Sequence, residues 1–391
     1  MRDDGGPRMR AFSLVVIGAL IAFVAGGFGW SQHRRPVPEL VTDDAPQHLT
    51  TTRLDLAAQA LSDLRAVTLP NGAVLAGPHG PWAYVWPRDA SFAAAAYCAT
   101  GDVARGLSVL GFLERVHPRS GRWAARYEED GSGPVADRRG PQLDGSGWVP
   151  WATGFCAASG ATDGALRDLW PMVRQSAERA VAELGRDGLP KPSADYWERP
   201  EKRLTLGTVA PLIAGLRGAA SVADRLARTA GTADAERWRS AADRLQRAVD
   251  AKFGPLGYSR DSRGGADSIV TVLGPPFSAA RPQVSAAIRR SQELLTLPNG
   301  GVTPGQDWRA DGVAWTPSTA LFGLSAAARG DRGTAEQLLR FLDAHRTPAG
   351  AVPEKVTRTG APAGEAPLAW TSALIVLTES ALSAPLPLAW G

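Results

Sequence analysis

Cysteine and histidine are scarce in this sequence, and neither residue type is spaced as a set of metal ligands. The 391 residues include two cysteines, Cys98 and Cys156, and five scattered histidines, and no Cys-x-x-Cys pair occurs. We therefore expect no bound metal. Two small buried side chains are the preferred interpretation of the cysteines, and a disulfide between them in an oxidising compartment is the alternative.

Glycine-rich phosphate-binding motifs and a large charge of one sign are also missing. Neither the Walker A pattern nor the dinucleotide-binding pattern followed by an acidic residue is found. The formal net charge is +4, and most of this excess lies in the first 35 residues. The remaining chain therefore lacks both a nucleotide cradle and the positive field that nucleic acid binding requires. We expect no cofactor and no nucleic acid partner.

One long apolar run is present, at residues 11–30, with basic residues on both sides. Twenty such residues span about 30 Å of hydrocarbon as a helix. Residues 1–35 are therefore predicted to be an N-terminal transmembrane anchor, in preference to a cleaved signal peptide, because no Ala-x-Ala site follows the run. We expect the rest of the protein outside the cytoplasmic membrane, or secreted if the segment is cleaved. Residues 36–49, with three prolines and three acidic residues, are predicted to be a linker.

Residues 50–391 are predicted to form one all-α domain. An alanine-rich helix repeatedly ends at a glycine, and an Asp or Thr then caps a more amphipathic helix, at 99–102, 158–163, 230–234 and 328–331. Asn71-Gly72 predicts a tight hairpin between short strands. Helix-type patterns occur at 52–67, 88–99, 102–116, 144–158, 163–185, 204–229, 233–252, 266–273, 281–296, 315–329, 331–345 and 366–382. Twelve helices in pairs predict a closed (α/α)6 toroid of six helical hairpins.

Long segments between the helical pairs carry the unusual residues. These segments, at 117–143, 186–203, 253–265, 297–314 and 346–365, are expected on one rim of the toroid, where a functional site is expected. They bring carboxylates together with several of the 13 tryptophans. Such a setting suits glycoside hydrolysis, which needs one protonated carboxyl group for the leaving oxygen and one ionised carboxylate to activate water.

Five ordered motifs resemble glycoside hydrolase family 15, the glucoamylase-type inverting glucosidases, and its bacterial branch in particular. The resemblance extends over residues 70–382. The motifs are Asn71-Gly72-Ala73, Tyr84-Val85-Trp86-Pro87-Arg88-Asp89-Ala90, Gly140-Pro141-Gln142-Leu143-Asp144-Gly145, Asp195-Tyr196-Trp197-Glu198, and Ala351-Val352-Pro353-Glu354 followed by Pro367-Leu368-Ala369-Trp370-Thr371.

The resemblance implies an (α/α)6 barrel and assigns roles to individual residues. Glu198 takes the general-acid position, Glu354 takes the general-base position, and Arg88 with Asp89 would hold the non-reducing glucose. Two features depart from the family: Arg199 stands where a second acid often follows the general acid, and no β-sandwich domain precedes the helices. The predicted substrate-binding residues are Trp86, Arg88, Asp89, Asp144, Trp197 and Trp315.

Each of these residues also has a structural interpretation. Glu198 could be a loop charge, Glu354 a partner of Lys355, and Arg88 and Asp89 partners of each other. Asp144 could be the N-cap of a helix, and the three tryptophans could belong to the core.

We therefore expect a monomeric, membrane-anchored, inverting exo-acting α-glucoside hydrolase. Its substrate would be an α-linked glucan or oligosaccharide. One alternative is another reaction on the same toroid, namely trehalose or dextran hydrolysis or a polysaccharide lyase reaction. The other alternative is a non-catalytic glycan-binding protein of the cell envelope.

Overall fold

Helices dominate the computed structural model, which describes residues 56–230 and 233–387. The predicted anchor at 11–30, the linker at 36–49 and the first residues of the predicted helix 52–67 lie outside the described residues. The α-helices within the described ranges are α1 (Leu56–Ala66), α2 (Pro87–Ala99), α3 (Val103–Val116), α4 (Gly145–Ala158), α5 (Asp163–Glu183), α6 (Leu206–Ala230), α7 (Asp234–Phe253), α8 (Pro282–Leu295), α9 (Thr316–Ala328), α10 (Arg332–Ala344) and α11 (Ala369–Ser383).

The helices form a closed double ring, as the sequence predicted. The inner ring runs α2, α4, α6, the 3-10 helix Ser268–Leu273, α9 and α11, and α11 packs back against α2. Each inner element has an outer partner, which is α3, α5, α7, α8, α10 or α1 in the same order. The helix that precedes the ring in sequence, α1, therefore completes the sixth hairpin with the last one, α11.

Composition explains which helices lie inside. In α9 every residue from Thr316 to Ala327 is buried, and the helix consists largely of Ala, Ser, Thr and Gly together with a few large apolar residues. Outer helix α10 buries only Ala335, Leu338, Leu339 and Leu342, which recur at helical spacing on one face. Small residues on all sides allow the inner helices to approach one another closely.

The eighth helical segment differs from its prediction. Residues 266–273 were predicted as an α-helix, but Ser268–Leu273 is a six-residue 3-10 helix whose N-cap is Asp267. Four consecutive β-branched residues, from Ile269 to Val272, disfavour an α-helix, and Pro275 and Pro276 prevent its extension.

The predicted helix caps are confirmed at three of the four junctions. The side chains of Asp102, Thr162 and Asp331 accept hydrogen bonds from backbone N–H groups in the first turns of α3, α5 and α10. At the fourth junction Asp234 lies inside the first turn of α7, and the N-cap is Ala233, which has no capping side chain. The predicted hairpin is also present, because Thr68 pairs with Val74 across a turn in which Gly72 has φ 86°.

The cysteines are joined, contrary to the preferred interpretation of the sequence. Cys98 near the end of α2 forms a disulfide with Cys156 near the end of α4. The two residues are 58 positions apart but belong to neighbouring inner helices, and their Cα atoms are 5.4 Å apart. The disulfide that was left as the alternative is therefore the observed state.

One stretch within the described residues, Leu206–Ala227 of α6, has the length and apolar character of a membrane span. About 89% of its most apolar window is buried inside the protein, as in a core helix. This helix therefore gives no support to the predicted membrane attachment.

The long segments between hairpins meet one another on one rim. A small antiparallel sheet, in the order β1 (Ala314–Trp315), β2 (Lys355–Val356) and β3 (Pro362–Ala363), joins two of them. Trp315 pairs with Lys355 in this sheet. Other neighbouring segments are joined by the isolated bridges Val85–Tyr127, Gln142–Ala194 and Asp267–Gly305. The rim therefore collects residues from segments that are far apart in sequence.

Candidate active site

Arg88 and Asp89 lie in the first turn of α2, immediately after Pro87. Their side chains form an ion pair with 2.9 Å between Nη2 and Oδ2, and the Arg88 guanidinium lies 4.4 Å from the centre of the Trp370 ring. Both residues are buried, yet Nε and Nη1 of Arg88 have no hydrogen-bond partner among the described residues. The ion pair expected from the structural interpretation is therefore present, and it leaves two guanidinium nitrogens of Arg88 without a partner in the described part of the chain.

Electrostatics keep this arginine charged. Burial alone would lower the pKa of Arg88, but the carboxylates of Asp89, Glu198 and Asp144 outweigh burial and raise it. Burial raises the pKa of Asp89, and the ion pair with Arg88 partly offsets that rise.

Glu198 lies beside this pair, with each carboxylate oxygen on a different partner. Its Oε1 accepts a hydrogen bond from Nε1 of Trp86 and lies 3.8 Å from Nη2 of Arg88. Its Oε2 accepts a hydrogen bond of 2.7 Å from Nε of Arg139. The residue has φ 54°, a left-handed conformation that is unusual for a residue other than glycine and occurs often at functional sites. Glu198 is therefore not a freely solvated loop charge.

A buried ion cluster holds the loop that presents Glu198. Arg260 is 1% exposed, and its guanidinium bonds Asp195 at 2.9 Å and Asp267 at 2.6 Å. The carbonyl oxygen of Asp195 accepts the backbone N–H of Glu198 at 2.7 Å. The same guanidinium lies 3.5 Å from the ring centre of Trp197. Arg260 also bonds Oε1 of Glu201 at 2.6 Å, so it holds residues on both sides of Glu198.

Sequence reasoning missed both arginines that hold Glu198 and its loop. Arg139 is 59 residues away from Glu198 in a charged segment, and Arg260 lies in a polar loop with no apolar pattern around it. The aromatic ring that Arg260 covers, Trp197, had been noted, but nothing in the sequence indicates which cation reaches it.

Glu354 is buried where two of the long segments meet. Its backbone N–H bonds the carbonyl of Glu365 at 2.7 Å, and its own carbonyl accepts the N–H of Thr316 at 3.0 Å. Its side chain is 3% exposed, and Oε2 lies 3.1 Å from Nζ of Lys355. A Cβ on Gly364 would lie 2.5 Å from Oε2 of Glu354, so only glycine leaves room for this carboxylate. The predicted ion pair of Glu354 with Lys355 is therefore present, and its carboxylate is much more enclosed than that of a surface ion pair.

A row of tryptophans connects the neighbourhoods of the two glutamates. The ring centres of Trp197 and Trp308 are 4.9 Å apart, and those of Trp308 and Trp315 are 5.4 Å apart. Nζ of Lys355 lies 4.5 Å from the ring centre of Trp315. The indole N–H groups of all three tryptophans are buried without an acceptor among the described residues. The row therefore begins beside Glu198, ends beside Glu354 and offers several hydrogen-bond donors.

Asp144 occupies the N-cap position of α4, but its side chain makes no capping hydrogen bond. Instead Oδ2 accepts a hydrogen bond of 3.3 Å from Nε1 of Trp148. Burial raises the pKa of Asp144 to about 7, and Arg88 counteracts this rise. Asp144 lines a narrow gap together with Trp86, Arg88 and Gln142. Asp144 therefore stands at the N-cap position without capping the helix through its side chain, and its role as a ligand to substrate stays a prediction.

Comparison with known proteins shows which solved structures share this fold. No protein-family model and no curated protein sequence matches the chain. Among solved structures, a wild-type glycosidase is 22% identical with a TM-score of 0.72, covering 84% of this chain and 96% of its own. A bacterial glucoamylase complexed with acarbose is 19% identical with a TM-score of 0.69, covering 85% of this chain and 56% of its own. Glucoamylase from Saccharomycopsis fibuligera is 12% identical with a TM-score of 0.65, covering 87% and 98%.

The chain has the fold of these glycosidases and glucoamylases. Within this glucoamylase fold, Trp86, Arg88, Asp89, Asp144 and Glu198 form one connected group, and Trp197, Trp315 and Glu354 form a second group linked through Trp308 and Lys355. The first group can bind sugar hydroxyls with charged donors and acceptors, and the second adds aromatic faces and a buried carboxylate. Within the described residues, no cluster of three or more His, Cys, Asp or Glu side chains could hold a metal ion.

Proposed function

We propose that the chain is an inverting, exo-acting α-glucoside hydrolase that releases glucose from non-reducing ends. One observation carries the proposal, and it is the position of Glu198. Glu198 lies between an open groove and the buried pair of Arg88 and Asp89, in which Arg88 has donors with no acceptor among the described residues. A row of tryptophans begins beside Glu198 and ends beside Glu354. The neighbours in structure comparison support it, since one is a glucoamylase complexed with acarbose and another is a glycosidase variant in complex with glucose.

The proposed mechanism uses the two glutamates in opposite protonation states. Glu198 donates a proton to the glycosidic oxygen as the bond from that oxygen to the anomeric carbon breaks. Glu354 takes a proton from a water molecule whose oxygen bonds the anomeric carbon from the other face, so an α-glucoside yields β-glucose. Inversion requires the two carboxyl groups to be about 6.5–9.5 Å apart, which leaves room for that water.

The closed end of the site supports exo action. Arg88 and Asp89 are buried against Trp370, and the adjoining space beside Asp144 is only a narrow gap. The middle of a polysaccharide cannot pass through an end that is closed in this way.

We further propose that the enzyme acts as a monomer outside the cytoplasm, attached to the membrane through residues 11–30. The Cys98–Cys156 disulfide supports an extracytoplasmic location because disulfides persist in oxidising compartments. Basic residues flanking the apolar run are typical of a signal anchor.

Proton NMR of the first products tests the proposal. The full-length chain is incubated with maltose, isomaltose, trehalose, dextran and starch, and the anomeric signals are followed before mutarotation. From starch and dextran, where only the attacked terminal residue is released as glucose, we expect β-glucose to appear first. Initial release of α-glucose from these two substrates would contradict inversion, and an unsaturated product absorbing in the ultraviolet would indicate a lyase. Binding without any product would indicate a glycan-binding protein.

A further inference from the structure

A groove of about 800 Å³ lies beside Glu198, and basic residues dominate its lining. It runs between the segment that joins α3 to α4 and the segment that joins α5 to α6. Its charged lining comprises three acids, Glu183, Glu198 and Glu201, and six basic residues, Arg122, Arg138, Arg139, Arg179, Lys191 and Arg199.

The acids of the groove are already neutralised by neighbouring arginines. Arg179 pairs with Glu183, Arg139 with Glu198 at 2.7 Å, and Arg199 with Glu201 at 3.2 Å. Arg122 reaches Glu183 only at 3.7 Å, and Arg138 and Lys191 take part in no ion pair found among the described residues. Nε of Arg179 is buried without a hydrogen-bond partner in the described part of the chain. Because Arg139 is also paired with Asp137 at 2.7 Å, the surplus positive charge of the groove lies on Arg122, Arg138 and Lys191.

Aromatic faces, which commonly carry neutral sugars, are nearly absent from this groove. The one aromatic residue in its lining is Trp123, which is fully buried and bonds Ser176 through its indole N–H. The tryptophan row lies elsewhere, from Trp197 to Trp315. The groove therefore differs in chemistry from the part of the site that suits glucose.

The orientation of Glu198 indicates what enters the groove. Oε1 faces Trp86 and Arg88, where the glucose is proposed to bind, and Oε2 faces Arg139 in the groove lining. A general acid lies between the sugar that is attacked and the group that leaves. The proposed acid role of Glu198 therefore directs the leaving group into the basic groove.

We propose that the preferred substrate is an α-glucoside whose leaving group carries a carboxylate or a phosphate. The inference rests on the proposed hydrolase function. Guanidinium and ammonium groups bind these anions through charge-assisted hydrogen bonds, which a neutral glucan cannot form. Hydrolysis consumes one water and gives glucose and the free alcohol of the leaving group, which keeps its anionic substituent.

Matched substrate pairs test this inference. Maltitol and maltobionate share an α-1,4 bond to an open-chain leaving group, which is neutral in the first and a carboxylate in the second. Trehalose and trehalose 6-phosphate form the phosphate pair. We expect kcat/KM to be about tenfold or more higher for the anionic member of at least one pair at low ionic strength, and this preference to shrink in 0.5 M NaCl because salt screens exposed charges. The pair that shows the preference identifies the anion.

Equal or lower kcat/KM for the anionic members of both pairs would overturn the inference while leaving the hydrolase function intact. If the enzyme cleaves another α-glucoside but neither substrate pair, the inhibition of that reaction by gluconate is compared with its inhibition by sorbitol. We expect gluconate to inhibit more strongly. Equal inhibition by the two would overturn the inference. Failure to cleave any α-glucoside would instead remove the proposed function itself.

Variants that remove single charges test whether the groove residues cause the preference for anionic substrates. Arg138→Gln and Lys191→Gln are each expected to lower the anionic-to-neutral ratio of kcat/KM about threefold or more. Arg340→Gln is the matched control, because this side chain on α10 is 70% exposed and lies outside the groove lining. The same fall in all three variants would show a general charge effect and contradict a groove that binds the anion.

Discussion

Glu198 combines an unusual backbone conformation with two opposed cationic neighbours. A left-handed conformation costs a non-glycine residue about 1–2 kcal/mol, so the surrounding contacts must maintain it. The bonds from Trp86, from Arg139 and to the carbonyl of Asp195 supply those contacts. A glutamate held in this way has a fixed side-chain direction, which a proton donor to a single oxygen atom requires.

Asp144 should make the free energy of unfolding depend on pH, and the Asp144→Asn substitution should remove this dependence. Burial raises the pKa of Asp144 in the folded protein to about 7, above its ordinary value near 3.8. Its contribution to stability is therefore complete below about pH 4 and is lost as the pH rises through 7. Each pKa unit corresponds to about 1.4 kcal/mol. Asp144→Asn should therefore gain stability relative to wild type between pH 5 and pH 8, as measured by urea unfolding.

Asp168→Asn on α5 is the matched control, because Asp168 is exposed. The free energy of unfolding of Asp168→Asn relative to wild type should change little over the same pH range. A difference between wild type and Asp144→Asn that stays constant from pH 5 to pH 8 would show that Asp144 does not titrate there.

At the scale of elements, the contact between α4 and α6 depends on glycine. A Cβ on Gly215 would lie 2.3 Å from the carbonyl oxygen of Gly147 and 2.5 Å from its Cα. These are backbone atoms of the facing helix, so the helices must move apart to admit a methyl group. Gly215→Ala should therefore lower the free energy of unfolding by about 1–3 kcal/mol, as measured by denaturant titration.

Gly111→Ala on α3 provides the opposite case. The nearest atom that its Cβ would meet is Nη1 of the flexible Arg115 side chain at 3.8 Å. Alanine should there raise stability by about 0.5–1 kcal/mol because it restricts the unfolded chain and favours the helix. Equal effects of the two substitutions would contradict the close approach of α4 and α6.

The disulfide between α2 and α4 should stabilise the same part of the ring. Joining residues 58 positions apart restricts the unfolded chain and is typically worth about 2–4 kcal/mol. The Cys98→Ser/Cys156→Ser variant should unfold at a correspondingly lower denaturant concentration. Alkylation of the unfolded wild-type protein without reductant should label no cysteine, and labelling of both would contradict the disulfide.

At the scale of the whole molecule, sequence patterns predicted the ring of hairpins because small-residue helices and amphipathic helices alternate along the chain. Helix type was predicted wrongly at 266–273, where hydrophobicity suggested a helix but β-branched residues and the following prolines permit only a 3-10 turn. The Cys98–Cys156 disulfide was only the alternative interpretation, because the pairing depends on which helices become neighbours in the ring.

The candidate site could be predicted only in part, because the sequence does not show which segments become neighbours in the ring. Motifs identified Arg88, Asp89 and Glu198, and folding brings these residues together. The arginines around Glu198 could not be predicted, because Arg139 and Arg260 reach it and its loop from segments about 60 residues away. Local sequence indicates which residues suit the chemistry, whereas the toroid decides which cations surround them.

At this scale the central claim is that Glu198 acts as the general acid and Glu354 as the general base. The dependence of kcat/KM on the leaving group of the substrate tests this claim most directly. α-Glucosyl fluoride needs no protonation of its leaving group, whereas maltose does. Glu198→Gln should therefore lower kcat/KM for maltose about 10²–10⁴-fold while largely sparing the fluoride, and Glu354→Gln should lower both, because each reaction needs an activated water. Glu336→Gln on α10 serves as the control. Equal losses for both substrates in Glu198→Gln, or fluoride hydrolysis retained in Glu354→Gln, would contradict the account.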